Sequence, residues 1–293
     1  MQVAGHAPVT ALPGFRRRGA RAQSTAGCGR RAIDALLKLG QITVVILTLD
    51  EERALPHALA SLPPGPRVLV VDAGSRDATV EIARASGATV IERAWTDFVD
   101  ARRFAAAAVE TPWTFMLDAD ERLDATLRTA LYAADPGRED VDAYRIRRIT
   151  RFCGAPVHAL GWSNERLVRI FRTGHADLRA HPAAGGAAAL HERWESRGNV
   201  GEMEGLLFHD SYPDRAAYRR KFSRYTSLEA EGLPPSRVAL ALSAALAVPR
   251  FLWFLGPRGG LRAGWRGIYL AFWSALYPVT VKRKALRRDA SDA

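Results

Sequence analysis

The chain is 293 residues long, 48% hydrophobic and 25% charged, a globular balance with room for one large α/β domain plus an appendage. Its net charge of +11 sits at the ends: residues 1–40 hold seven Lys/Arg against one acid and 232–293 ten against two, which leaves the body at −3. This distribution speaks against a nucleic-acid-binding body and for an anionic membrane surface, while two cysteines without Cys/His spacing leave no disulfide framework and no zinc site.

Residues 1–40, rich in Gly, Ala and Arg, are expected to be a disordered basic extension. An over-translated start or an Arg-rich, acid-poor transit peptide would share that composition. The stretch has no apolar core of signal-peptide length, and a reducing cytosol is the expected compartment.

The β-branched run Ile42–Leu47 predicts a central strand, followed by Thr48-Leu49-Asp50-Glu51-Glu52 and a helix through Leu55, Leu59 and Leu62 that Pro63-Pro64-Gly65-Pro66 stops. Arg67–Val71 predicts the next strand, ending in Asp72-Ala73-Gly74-Ser75-Arg76-Asp77. A helix over Val80, Ile82 and Ala83 closes at Gly87, and a third strand follows at Thr89–Ile91. Residues 98–109 read as a helix and Trp113–Leu117 as a buried strand that ends in Asp118-Ala119-Asp120-Glu121. This alternation predicts a parallel sheet with right-handed crossovers. After a helix at Asp124–Ala134, shorter runs at Ala143–Ile149 and Arg166–Phe171 predict a mixed or antiparallel half of the same sheet.

From residue 212 the chain is expected to be helical. Tyr212–Ala230 is polar and rich in Arg and Tyr. Val238–Pro249 and Gly267–Val281 are uncharged stretches of twelve and fifteen residues, flanked by Trp, Tyr, Arg and Lys. Both fall short of the roughly 20 apolar residues of a spanning helix, so the expectation is helices lying in the headgroup region. A helical hairpin packed on the domain is the alternative. The expected organisation is thus an extension at 1–40, a catalytic domain at 41–211 and an interfacial region at 212–288.

Three strand ends carry acids: Asp50-Glu51-Glu52, Asp72 with Asp77, and Asp118 with Asp120. In a parallel sheet such ends share one edge, where ligands bind. Asp118 and Asp120 suit a shared divalent cation that holds a diphosphate, although a bare Asp-x-Asp also fits a solvated helix-capping turn. Neither a G-x-G-x-x-G nor a P-loop is present. The base and ribose would then lie on the first two strand ends (Thr48, Leu49, Glu51, Asp72, Asp77), with Arg102 or Arg103 and the metal facing the phosphates.

The segments Ile42–Glu52, Val70–Asp77, Ala101–Ala105 and Phe115–Glu121, taken in order, resemble family 2 glycosyltransferases. More narrowly, with Leu190-His191-Glu192, Gly161-Trp162 and Leu207-Phe208-His209, they are similar to the bacterial lipopolysaccharide core β-glucosyltransferases. Arg103 departs from that branch, where Asn follows the Arg. The resemblance covers residues 41–230. It implies a single-domain nucleotide-sugar glycosyltransferase fold (GT-A type) with a mixed, mostly parallel sheet. It also implies inverting transfer from a nucleotide diphosphate donor, a UDP-hexose, with Mn²⁺ or Mg²⁺ as cofactor. The expected acceptor is lipid-linked or a lipopolysaccharide core, reached from the inner face of the bacterial cytoplasmic membrane. By this resemblance Glu192 is the base, Asp120 is catalytic, and His191 is a metal ligand with Asp118 and Asp120 or an orienting group. Asp142, Glu165 and Asp210 are rivals for the base. A polyprenyl-phosphate glycosyltransferase and a non-catalytic nucleotide-binding scaffold are the competing readings.

Overall fold

A computed structural model describes residues 39–133, 140–162, 165–180 and 192–292. Residues 1–38 of the extension expected at 1–40 lie outside the described residues, as does His191, while Leu39 is buried in the core.

Four strands, β1 (Ile42–Thr48), β2 (Arg67–Asp72), β3 (Thr89–Glu92) and β4 (Trp113–Asp118), form the parallel half of one sheet. Its spatial order is β3-β2-β1-β4, the mark of helical crossovers. The strands read as continuous apolar runs because both faces are covered. Val44, Ile46, Val70, Phe115 and Leu117 point to one face, under α1 (Leu55–Ser61), α2 (Thr79–Ala85) and α4 (Ala125–Ala133). Val45, Leu69, Val71 and Met116 point to the other, under α3 (Phe98–Ala107), where Ala105 and Val109 meet them.

Beyond β4 the pairing turns antiparallel. β8 (Glu165–Arg172) lies beside β4 and then β6 (Ala143–Phe152). β11 (Val200–Tyr212) runs parallel to β6 and antiparallel to the short β5 (Glu121–Leu123). The hairpin of β9 (Ala176–Ala180) and β10 (Glu192–Ser196) joins the edge of β8, and β7 (Ala155–Pro156) folds back on β6. The sheet is mixed as expected, with parallel pairing concentrated in its first half.

The C-terminal helices begin three residues later than the composition suggested, because β11 continues through Tyr212. Asp214 caps α5 (Arg215–Glu231), accepting a hydrogen bond from the Ala217 N–H at 2.7 Å. α6 (Arg237–Ala245) and α7 (Ala247–Leu255) follow each other through Leu246, which keeps helical backbone angles. A 3₁₀ turn at Gly260–Ala263 leads into α8 (Gly264–Asp292). Together Arg237–Leu255 make 19 residues long and apolar enough to cross a membrane, with almost nothing buried. This corrects the shorter length expected from the uncharged run alone: Arg250 interrupts the composition but not the helix, its guanidinium donating to the Ser243 carbonyl at 3.2 Å. α8 behaves differently. Its Leu270 and Ala271 are fully buried against Phe152, Tyr218 and Phe222, so it is part of the domain's core.

Candidate active site

The parallel register sets the strand ends side by side, Thr48 opposite Asp72 and Leu47 opposite Asp118. At the first edge Asp72 is buried and collects four donors: Thr48 Oγ1 at 2.8 Å, Ser75 Oγ at 2.5 Å, and the N–H groups of Gly74 and Ser75 at 3.0 and 2.8 Å. Burial works against its charge, but the Ser75 and Thr48 donors hold the carboxyl below the usual range. Gly74 sits at φ +93°, which an L side chain rarely adopts, and lets the backbone turn back over the carboxylate. Asp77 serves this loop rather than facing outward. It accepts from the Thr79 hydroxyl, from the Thr79 N–H and from the Glu52 N–H. Leu49 is exposed at the same edge.

The two members of the Asp-x-Asp are not equivalent. Asp118 receives Arg102 at 2.9 Å on one oxygen and Arg169 at 2.8 Å on the other. Burial alone would raise its pKa; Arg169, then Arg102 and Arg148, hold it well below the carboxylate range. Arg169 also reaches the fully buried Glu121 at 2.6 Å, and Arg148 bridges Glu121 at 3.2 Å and Glu165 at 2.5 Å. Each Asp118 oxygen faces a guanidinium group, which would compete with a cation for the ligand role expected of it. Arg103, the alternative to Arg102, points away to the Leu178 carbonyl.

Asp120 faces a different partner. The antiparallel register of β5 and β11 sets Glu121 opposite His209, and the Asp210 N–H donates to the Asp120 carbonyl at 2.8 Å. His209 Nε2 therefore lies 3.3 Å from Asp120 Oδ2. Although burial pushes the Asp120 carboxyl up, the ring beside it brings it below its ordinary value. Glu51 completes this corner: burial, then the Asp120 charge, push its carboxyl up to about 7. Among the described residues no group of three His, Cys, Asp or Glu is placed to hold a metal ion. One carboxylate and one imidazole are the groups this corner offers to a divalent cation.

A polar cleft of about 120 Å³ lies between the end of β4, β8 and β10, lined by Asp118, Arg102, Arg148, Glu165, Glu192 and Arg193 among others. It brings Glu192 onto the same site as Asp118. Glu192 Oε1 is buried with no hydrogen-bond partner among the described residues. The rival acids are occupied. Glu165 is held by Arg148, Asp210 by Arg151 at 2.9 Å and Arg122 at 2.9 Å, and Asp142 takes the Asn199 N–H at 2.9 Å.

Sequence reasoning noted the Leu207-Phe208-His209 segment but gave His209 no role, and it missed Arg169. The signal for His209 was its place at the end of an apolar run, Leu206–Phe208. Arg169 sits in a run whose arginines, Arg166, Arg169 and Arg172, fall three residues apart, and no pattern marked it as buried.

The family model for Glycosyl transferase family 2 matches residues 43–194. A lipopolysaccharide core biosynthesis glycosyltransferase, LpsC of Rhizobium meliloti, is 27% identical over 267 residues, 86% of this chain and 94% of its own. An uncharacterized glycosyltransferase of Rickettsia typhi is 24% identical over 220 residues, 73% of this chain and 75% of its own. Among solved structures, a mannosyltransferase of Pyrobaculum calidifontis in complex with GDP-Man and Mn²⁺ aligns with a TM-score of 0.45 at 15% identity, covering 84% of this chain and 87% of that one.

Proposed function

The chain belongs to glycosyl transferase family 2, with the GT-A-like α/β fold described above, and from that premise we propose an inverting transferase. It moves a hexose from a nucleotide diphosphate donor, a UDP-sugar in the leading reading, to a lipid-linked or lipopolysaccharide-core acceptor at the membrane surface. The observation that carries this reading is one cleft shared by Asp118 and a Glu192 oxygen that has no hydrogen-bond partner among the described residues, with the Asp120–His209 pair two residues beyond Asp118.

Asp72 and the Gly74–Ser75 turn give the edge where base and ribose rest, with Thr48, Leu49, Glu51 and Asp77 shaping it. Asp120 and His209 would hold the divalent cation, Mn²⁺ or Mg²⁺, which when bound would supply positive charge to the departing diphosphate. Asp118 acts through Arg102 and Arg169, fixing guanidinium groups at the cleft wall. Glu192 accepts the proton of the attacking hydroxyl on the face opposite the leaving group, as inversion requires.

The place of action is the inner face of the cytoplasmic membrane. The exposed Val238, Leu242, Val248, Leu252 and Trp253 support it, as does a stretch from 232 to 288 with ten Lys/Arg and no acid. The 19-residue apolar helix also keeps a polyprenyl-phosphate acceptor as a second reading.

The test is a screen of the purified full chain with UDP-, GDP- and dTDP-hexoses, with Mn²⁺, Mg²⁺ or chelator, reading nucleoside diphosphate release. Slow metal-dependent release from one donor is expected, accelerated by lipopolysaccharide-core or polyprenyl-phosphate acceptor according to which reading is right. No release and no nucleotide binding in any arm would overturn the proposal.

A further inference from the structure

A second cavity, of about 300 Å³, opens between β11, α5 and α8. Its walls include Trp162, Tyr212, Tyr225, Tyr277, Ser274 and Pro278, and none of its lining residues is charged. The rings are fixed by one another: Trp162 and Tyr212 lie 5.4 Å apart, Tyr212 and Tyr218 5.0 Å, Phe222 and Tyr277 5.5 Å edge to face. We propose that this aromatic cavity is the subsite for an uncharged sugar ring of the acceptor, held next to the Asp120–His209 corner; it rests on the transferase reading above.

Three observations choose that occupant. First, the lining combines ring faces with hydroxyls. A pyranose offers the same combination, C–H faces for the rings and hydroxyls for Tyr212, Tyr225 and Ser274. An acyl chain would strip those phenols of water without replacing the hydrogen bonds. Second, Pro278 lies inside α8 and has no N–H to give the Ser274 carbonyl one turn earlier, which adds a main-chain acceptor at the wall.

Third, the position is right. Tyr212 closes the strand that carries His209, and Lys221 lies 5.3 Å from the Tyr212 ring while its charge acts on Asp120 and Glu51. The Asp120 charge in turn raises the Tyr225 phenol, after burial. On its other side α8 carries the exposed Ile268 and Phe272, so a ring seated here lies between the apolar surface and the acidic corner. At about 300 Å³ the cavity is at the small end of ligand sites, suited to a single ring or two.

Saturation-transfer NMR on the full chain tests this with UDP and Mg²⁺ present. The probes are the methyl glycosides of glucose, galactose and mannose, and octanoate. Ring protons of at least one glycoside should receive saturation. Tyr225→Leu and Ser274→Leu should weaken that binding roughly ten-fold while the UDP resonances keep theirs, which also reports an intact fold. The proposal is overturned if no glycoside receives saturation, if both variants bind the glycosides as the parent does, or if octanoate alone responds to the substitutions. Loss of the UDP signal in the parent would instead sink the transferase reading, and the glycoside arm would then judge the cavity as a sugar site on its own.

Discussion

His209 Nε2 and Asp120 Oδ2 stand 3.3 Å apart because β11 runs antiparallel to the three-residue strand that follows the Asp-x-Asp. The pair is the cation-holding corner of the proposed reaction. Asp120→Asn and His209→Ala should each lower kcat by roughly 100-fold or more, the scale of losing one clamp on a developing anion. Both should weaken UDP binding in Mn²⁺ but not in chelator. Isothermal titration with and without metal reads this directly, and unchanged metal dependence in both variants would remove the assignment.

Glu192→Gln keeps the volume and removes the proton-accepting charge. A kcat loss of at least ~100-fold is expected, the low end for a general base, with donor affinity unchanged. An equal loss of donor affinity would move Glu192 into the nucleotide site.

Arg169 is 4% exposed and is shared between Asp118 and the fully buried Glu121. Arg169→Met leaves the buried Glu121 and the part-buried Asp118 each short of a partner and should destabilise by roughly 3 kcal/mol, the lower end for breaking a buried pair, since Arg148 still reaches Glu121 and Arg102 still reaches Asp118. Urea unfolding measures it. A loss under about 1 kcal/mol would mean the network carries little of the fold's stability.

Glu51 has its folded pKa raised to about 7. Between its unfolded value near 4.3 and that point the folded chain binds the extra proton, so this residue's contribution falls as pH rises through the window and is level above it. In chelator, the parent's urea midpoint should drop more from pH 5 to pH 8 than that of Glu51→Gln. Parallel pH profiles for the two would contradict the shift.

For membrane attachment, truncation is a poor probe because α8 fills the core over Phe152. Substitution on the exposed face is better: Leu242→Glu with Leu252→Glu should release the chain from anionic vesicles in flotation while UDP binding persists. Parent protein that fails to float at low salt would point instead to a protein partner on this face.

The parallel half was legible because Val44–Ile46 and Phe115–Leu117 are buried on both faces, which leaves an unbroken apolar signature. The acids at the strand ends could be read as a shared edge for the same reason. The roles within that edge could not. Whether Asp118 meets a cation or an arginine depends on Arg169, brought in by the β4–β8 pairing, and the partner of Asp120 depends on the β5–β11 register. Both are long-range pairings between irregular strands, and local pattern carries no information about them. Arg148 shows the same limit: the charge of Arg145, Arg147 and Arg148 along β6 suggests a solvated face, yet Arg148 is mostly buried between Glu121 and Glu165.

The late position of β11 has a consequence for synthesis. The edge of β1, β2 and β4 proposed for the nucleotide is complete in the first third of the folded chain, with its own helices to cover it. His209 and Tyr212 are made far later, and they reach their places only when β11 is laid between β6 and β5. Domains are built from the N-terminus as the ribosome proceeds, and non-local strand pairing is the slow part of folding. A nascent chain of this protein therefore presents the edge proposed for the nucleotide early and lacks the proposed cation corner until its last strand docks.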